Sequence, residues 1–222
     1  MTRKILWLLL LAAVCAFTSL HADLTIVQHF DFMGHGWDTT VMIKAGRMRV
    51  DESEAPEMSF ITDLQSGETI RLMGPDKTHP GPGQVYHEAI AAAEQQLPGM
   101  PKDGWTASTP AGKKATISGY AADEYACSIP GIKASAWLTK AAPDYANLLK
   151  EVSAYHAHRP KNPTWEGIFA LDMAALPGFP VRAVYEFRPG LIVTSTVLSI
   201  STKPIADSEL NIPAGYEHPV DG

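Results

Sequence analysis

The chain reads as an α+β protein built on antiparallel strands. Three observations predict this: alternating segments punctuated by glycine turns, a helical apolar stripe after Pro143, and a closing apolar hairpin. Leu24, Ile26, Phe30 and Phe32 recur at even spacing, the period of a strand with one buried face. Val41 and Ile43 pass through Lys44-Ala45-Gly46 to Met48 and Val50, which predicts a hairpin. Residues 60–63 pass through Gln65-Ser66-Gly67 to residues 69–73 and predict another. Glycine suits both turns because it takes a positive φ without a Cβ penalty.

Pro80-Gly81-Pro82-Gly83 interrupts this meander, since proline cannot donate to a ladder. An alanine-rich helix is expected over 84–97, with Ile90, Ala93 and Leu97 on one side, before a second break over 98–104. Strands resume at 113–117 and 120–129, joined through Ser118-Gly119, and again at 133–140 around Trp137. Proline's fixed φ suits a first helical turn, so a helix is expected over 143–158. Its stripe of Tyr145, Leu148, Leu149, Val152 and Tyr155 predicts that Leu149 and Val152 bury against the sheet. Trp165, Ile168, Phe169, Met173 and Leu176 repeat the spacing in a further helix. Residues 181–187 and 191–201 flank Arg188-Pro189-Gly190 as a closing hairpin. Because 191–201 is apolar on both sides, it is expected to be covered on both sides.

The first twenty-two residues have the form of a secretory signal. Arg3 and Lys4 precede an uncharged apolar run over 5–17, and Ala22 offers a small residue at the cut. A spanning helix needs about 20 apolar residues, which this run does not reach. The expected organisation is therefore a signal peptide, 1–22, and a single domain, 23–222, exported to the periplasm or the medium. Cleavage removes two cations and no acid, so the formal charge moves from −6 to −8. Such a chain lacks the basic footprint that nucleic acid requires. Of the two cysteines, Cys15 lies in the signal, which leaves Cys127 without an internal disulfide partner. Cys127 alternates with Tyr125 and Ile129 and reads as a buried strand residue.

Several segments together resemble the exported domain of unknown function 4412 family. They are residues 44–51 (Lys44-Ala45-Gly46-Arg47-Met48-Arg49-Val50-Asp51), Ile61-Thr62-Asp63-Leu64, and Thr116-Ile117-Ser118-Gly119-Tyr120 with Asp123-Glu124-Tyr125. Ala136-Trp137-Leu138, Pro177-Gly178-Phe179-Pro180-Val181-Arg182 and Ile212-Pro213-Ala214-Gly215-Tyr216 complete the set. The family in turn resembles the LolA/LolB-like lipoprotein-carrier fold. The resemblance implies a strongly curved antiparallel sheet, a half-barrel, with helices across its concave face. Carriers of that architecture hold acyl chains between sheet and helices, and the family pattern defines no catalytic residue.

Motifs for chemistry do not rise above background. His156 and His158 are two apart, whereas a shared helix face needs three or four. No His-Glu-x-x-His spacing and no Gly-x-Ser-x-Gly elbow occurs. Asp51, Glu52, Glu54 and Glu57 read as a solvated acidic loop. No metal, cofactor or catalytic group is therefore expected. Methionines and aromatics suit an adaptable apolar cavity. The expected function is a non-enzymatic binding protein that takes a lipid or other apolar small molecule. Trp137, Trp165, Ile168, Phe169 and Met173 are its expected contacts. The alternative is a cell-envelope interaction or scaffold protein with a self-filled core.

Overall fold

The computed structural model describes residues 23–75, 80–88, 106–129, 132–146, 148–149 and 176–217. These form one curved, open, twelve-stranded sheet, and the fold is nearly all-β. In chain order the strands are β1 (Leu24–Phe32), β2 (His35–Lys44), β3 (Arg47–Glu52), β4 (Met58–Asp63), β5 (Thr69–Met73) and β6 (Gly83–Glu88). Then come β7 (Thr106–Ile117), β8 (Tyr120–Ile129), β9 (Ile132–Thr139), β10 (Phe179–Arg188), β11 (Leu191–Ser201) and the two-residue β12 (Tyr216–Glu217). Their order across the sheet is β12-β6-β5-β4-β3-β2-β1-β11-β10-β9-β8-β7. Every ladder is antiparallel except β12 on β6.

Local turn chemistry sets most of this path. Met33-Gly34, Ala45-Gly46 and Ser118-Gly119 each place two successive residues at positive φ. That is the two-residue turn whose twist matches the flanking strands. Pro189 followed by Gly190, at φ 83°, supplies a proline-glycine turn before β11. Asp63 closes the β4–β5 connection by accepting the Gln65 and Ser66 amides at 2.9 and 2.8 Å. Those amide bonds, the Ser66 amide foremost, hold the Asp63 carboxyl below its ordinary range.

The α+β expectation is overturned. Residues 84–88 are strand β6 and not the start of a helix, because Gln84, Val85, Tyr86 and His87 find ladder partners along β5. The alanine run that suggested a helix begins after them, and residues 89–97 lie outside the described residues. Of the helix expected over 143–158, Tyr145, Ala146, Leu148 and Leu149 have helical backbone, and the Leu148 amide donates to Asp144 O at 3.1 Å. Its continuation, with Val152, lies outside the described residues, as does the helix expected over 165–176 apart from Leu176. Among the described residues, no helix crosses the sheet.

The main core lies on the face that presents Leu24, Ile26, Gln28 and Phe30 from β1, here called inner. Val41, Ile43, Met48, Ala183, Tyr185, Val193 and Val197 are buried with them. Fully burying side chains of this size stabilises by about 1.5–3 kcal/mol each. Ser195 Oγ donates to Gln28 Oε1 at 2.9 Å, which satisfies two polar groups inside this core. Leu148 and Ala142 are buried in the same cluster, and Tyr145, Leu149 and Leu176 pack against it half-buried. Leu148, and not Leu149, is thus the deeper of the two.

Strand β11 corrects a second expectation. It is buried on one face only; Ile192 and Leu198 are 43% and 46% exposed on its outer side. The ladder with β1 slips at Val27/Gln28, which face Ser199 and Val197, so Leu198 is an extra residue in a bulge. Beyond the bulge Ile200 pairs with Ile26 and rejoins the core. A strict two-residue alternation misassigns every side chain past such a point.

After β11 the chain crosses the outer side of β1–β6 as a strap, residues 202–217. The β2–β3 hairpin grips it: Lys44 Nζ donates to Ile205 O at 2.5 Å and pairs with Asp207 at 2.8 Å. Arg47 donates to Asn211 Oδ1 at 2.8 Å and Arg49 to Glu209 O at 2.9 Å. Asp23 Oδ2 accepts the Ile205 amide at 2.6 Å. Beneath these contacts Met42, Ile205 and Leu210 form a small buried cluster, and a 3-10 turn over Asp207–Leu210 brings Leu210 down.

Candidate functional site

A cleft of about 380 Å³ opens where β8 and β9 meet the chain entering β10. Ala121, Asp123 and Tyr125 alternate along one face of β8, and Leu138 and Thr139 close the end of β9. Lys140, Ala141 and Pro177-Gly178 complete the wall. Gly178 is required for this shape: a Cβ there would stand 2.8 Å from Thr139 O, so any larger residue forces the segments apart. Thr139 is buried, and its hydroxyl accepts the Ala141 amide at 3.1 Å, turning the chain away from β9. Asp123 pairs with Lys114 across β7–β8 at 3.5 Å, and Lys140 is exposed at the rim. The cleft therefore has apolar walls and charge at its mouth, which suits an amphiphile.

Of the expected contact residues, Trp137 is the one described. It is half-buried on β9, in register with Glu124 and Arg182, and alternates with Leu138, which lines the cleft. Trp165, Ile168, Phe169 and Met173 lie outside the described residues. Sequence reasoning missed Asp123, Tyr125 and Lys140 as a group. Their approach depends on the β8–β9 ladder and on Gly178, which no local pattern encodes.

His29 Nδ1 lies 2.6 Å from Asp38 Oδ1, and Asp38 N donates to Ser53 Oγ at 2.9 Å. His35 Nε2 pairs with Glu54 at 2.7 Å beside Trp37, whose ring stacks on Phe30 at 5.1 Å. Glu52 is half-buried at the end of β3, and desolvation followed by the nearby Glu54 charge raises its pKa. It is not the solvated loop carboxylate the sequence suggests. Cys127 is buried, and desolvation pushes its thiol up to about 11, which keeps it protonated and unreactive. Among the described residues, no group of three or more His, Cys, Asp or Glu could hold a metal.

The model of one family, described as a domain of unknown function (DUF4412), matches residues 34–216. The chain belongs to the DUF4412 family. That match runs from the β1–β2 turn to β12. Among curated proteins, none matches the chain in sequence. Among solved structures, an uncharacterized conserved protein from Thermus thermophilus is similar at TM-score 0.49 and 10% identity. The overlap covers 90% of this chain and 92% of that one. MucB is similar at TM-score 0.47 and 11% identity, over 92% of this chain and 64% of MucB. PNGF-II is similar at 0.43 and 10%, over 89% of this chain and 31% of its own. The chain thus spans under a third of PNGF-II and just under two thirds of MucB. At this identity and overlap none of them transfers an activity. Among the described residues, no helix is long and apolar enough to cross a membrane.

Proposed function

We propose that this DUF4412 chain is an exported, non-catalytic binding protein that holds a lipid or other apolar small molecule against its sheet. The observation that carries the reading is the cleft at the end of β8–β9, with Ala121, Tyr125, Leu138 and Pro177 on its walls and Asp123 and Lys140 at its mouth. Water leaving apolar walls drives association without directional chemistry, while the rim charges favour a ligand that keeps one polar end in solvent. The same reading assigns Trp165, Ile168, Phe169 and Met173 to the ligand's apolar portion and residues 1–22 to a cleaved signal, while Trp137, on the face of β9 opposite Leu138, is set apart from the cleft.

Native mass spectrometry of the protein purified from its exported fraction tests this, together with titration of a long-chain fatty acid. Bound lipid, or saturable binding lost in Ala121→Trp, supports the reading. Ala121 is exposed on the cleft wall, so a bulky side chain there fills the cleft without entering the core. No binding to a folded sample favours a second reading, a cell-envelope scaffold protein with a self-filled core. Exposed Ile192 and Leu198 on the outer side of β11 support that alternative, since uncovered apolar residues suit contact with another protein. N-terminal sequencing of exported material is expected to begin at Asp23; a start at Met1 would sink the export claim.

A further inference from the structure

The charged side chains around the cleft are unequally matched. On the β7–β8 hairpin each acid of β8 has a lysine of β7: Lys114 Nζ lies 3.5 Å from Asp123 Oδ1, and Lys113 Nζ lies 3.1 Å from Glu124 Oε2. Lys114 also stands directly opposite Asp123 in the ladder, an arrangement in which opposite charges support the pairing. Lys140 lines the other wall and is exposed. Among the described residues it has neither an ion pair nor a hydrogen bond, whereas Lys44, Lys113, Lys114 and Lys133 each hold a carboxylate at 3.5 Å or closer. The cleft thus carries one matched pair and one unmatched positive charge.

That charge is held in place by the fold. Lys140 sits in the turn that the Thr139 hydroxyl closes on the Ala141 amide, which fixes its backbone at the end of β9. Asp123 faces Leu138 across the β8–β9 ladder, so Lys140, two residues beyond Leu138, lies toward the Ala121 end of the cleft. Ala121, Leu138, Ala141 and Pro177 are the apolar surfaces next to it. A lysine stem covers such surface while its ammonium stays in water, and low-dielectric walls strengthen the pull of that ammonium on an opposite charge. The whole chain is acidic, at a formal charge of −6. Salt screens that distant repulsion beyond about 8 Å, so the nearest unmatched charge decides which end group is favoured.

We infer that the cleft selects an amphiphile with an anionic end group, a carboxylate or a phosphate, which Lys140 holds at the rim while the chain lies against Ala121, Leu138 and Pro177. This rests on the reading of the cleft as a ligand site and adds the sign of the ligand's charge. A cationic end group meets Asp123, which Lys114 already neutralises, and a neutral one gains only the apolar contact. Lysine is a compact point charge without the planar fork of arginine, so it reads the charge of the end group and not its shape. Carboxylate and phosphate are therefore both accepted.

The probes share one ten-carbon chain: decanoate, decyl phosphate, decanol and decylamine, each titrated into the purified protein by calorimetry below its micelle concentration. At neutral pH and low salt both anions should bind about fivefold more tightly than decanol, the upper range of one exposed ion pair, and decylamine no more tightly than decanol. Lys140→Glu should weaken both anions by about tenfold, leave decanol unchanged and place decylamine above the anions. Lys140 is exposed, so this variant should keep the circular dichroism of the wild type. Lys114→Gln releases Asp123 and should improve decylamine while weakening the anions. Molar salt should bring the anions down to decanol. The ratio of decanoate to decyl phosphate then tells a fatty-acid end group from a phosphate one, and both must exceed decanol. Equal binding of all four probes, or an anion preference that survives Lys140→Glu, would overturn the inference and leave the cleft a ligand site. Binding of none of them would remove the cleft reading, and the inference with it.

Discussion

Strands β1–β6 and strands β8–β10 are covered by different kinds of chain. On the outer side of the first set, the strap is fastened by Lys44, Arg47 and Arg49, with two small apolar clusters beneath it, Met42-Ile205-Leu210 and the Ile61-Leu72-Val85 patch under Tyr216. Against the second set, Ala142 and Leu148 are buried in the main core, with Tyr145, Leu149 and Leu176 beside them. Tyr145 meets Phe179 edge-on at 6.2 Å, and burial raises its phenol pKa. Charged contacts at the surface are screened and individually weak, whereas apolar burial is neither. The strap is therefore expected to open by itself, and loss of the Leu148 cover is expected to unfold the domain.

The largest expected effect comes from breaking the apolar cover. Leu148→Ala should destabilise the domain by about 2–5 kcal/mol through transfer and cavity terms. Urea unfolding at an unchanged slope is the measurement, and an unmoved midpoint would place Leu148 outside the cooperative core. Tyr216→Ala breaks the other cover. Its ring is half-buried, so a cost of about 1–3 kcal/mol is expected, below that of a fully buried aromatic. Strap amides should lose protection from hydrogen exchange while those of β10 and β11 keep theirs; equal loss in both would erase the distinction between the halves.

A smaller pair of effects compares two turns of one type, one in each half. Ala45 holds φ 49° ahead of Gly46, a conformation that costs an L-residue roughly 1–2 kcal/mol and that asparagine tolerates better. Ala45→Asn should therefore raise stability by about 0.5–1 kcal/mol in thermal melts. Ser118 holds the same φ ahead of Gly119, yet its hydroxyl also donates to Val197 O. Losing that bond offsets the gain, so Ser118→Asn should not stabilise. A gain at both positions would show that the Val197 contact contributes nothing.

The smallest effect is on the strap's ionic fastening. Lys44 holds the Asp207 carboxyl below its usual 3.8, and Asp207 raises Lys44 above 10.5. A lowered acid contributes stability above its unfolded pKa and loses it as pH falls through the folded value. A raised base contributes below its unfolded pKa and loses it as pH rises through the folded value. The fastening is thus complete between about pH 3.8 and about pH 10.5, and it is lost as pH falls through the lowered Asp207 value or rises through the raised Lys44 value. Molar salt at neutral pH should speed exchange over residues 205–211 and leave that of β11 unchanged. Salt-independent exchange would assign the strap's hold to Leu210 and Tyr216 alone.

The hairpins at Ala45-Gly46, Ser118-Gly119 and Pro189-Gly190 were legible in the sequence because their turns are local: a glycine at positive φ, with alternating apolar residues on either side. Met33-Gly34 carries the same local signal and joins β1 to β2 in the same way. The buried state of Cys127 followed from alternation for the same local reason.

What only the tertiary structure decided is non-local. Residues 84–88 became strand because β5 presented a free edge to them, and Leu198 became a bulge because β1 and β11 had to match in register. The cleft exists because Gly178 lets the chain touch the end of β9, and the Tyr216 ring has room because Gly74 and Gly83, on separate segments, carry no Cβ to meet it. A residue's intrinsic preference is a weak bias of tenths of a kcal/mol, and it yields wherever a ladder partner or a core contact offers more. Sequence by itself therefore determined where this chain turns and which strands alternate, while pairing across the sheet determined what those strands bury, what they leave open, and where a ligand could sit.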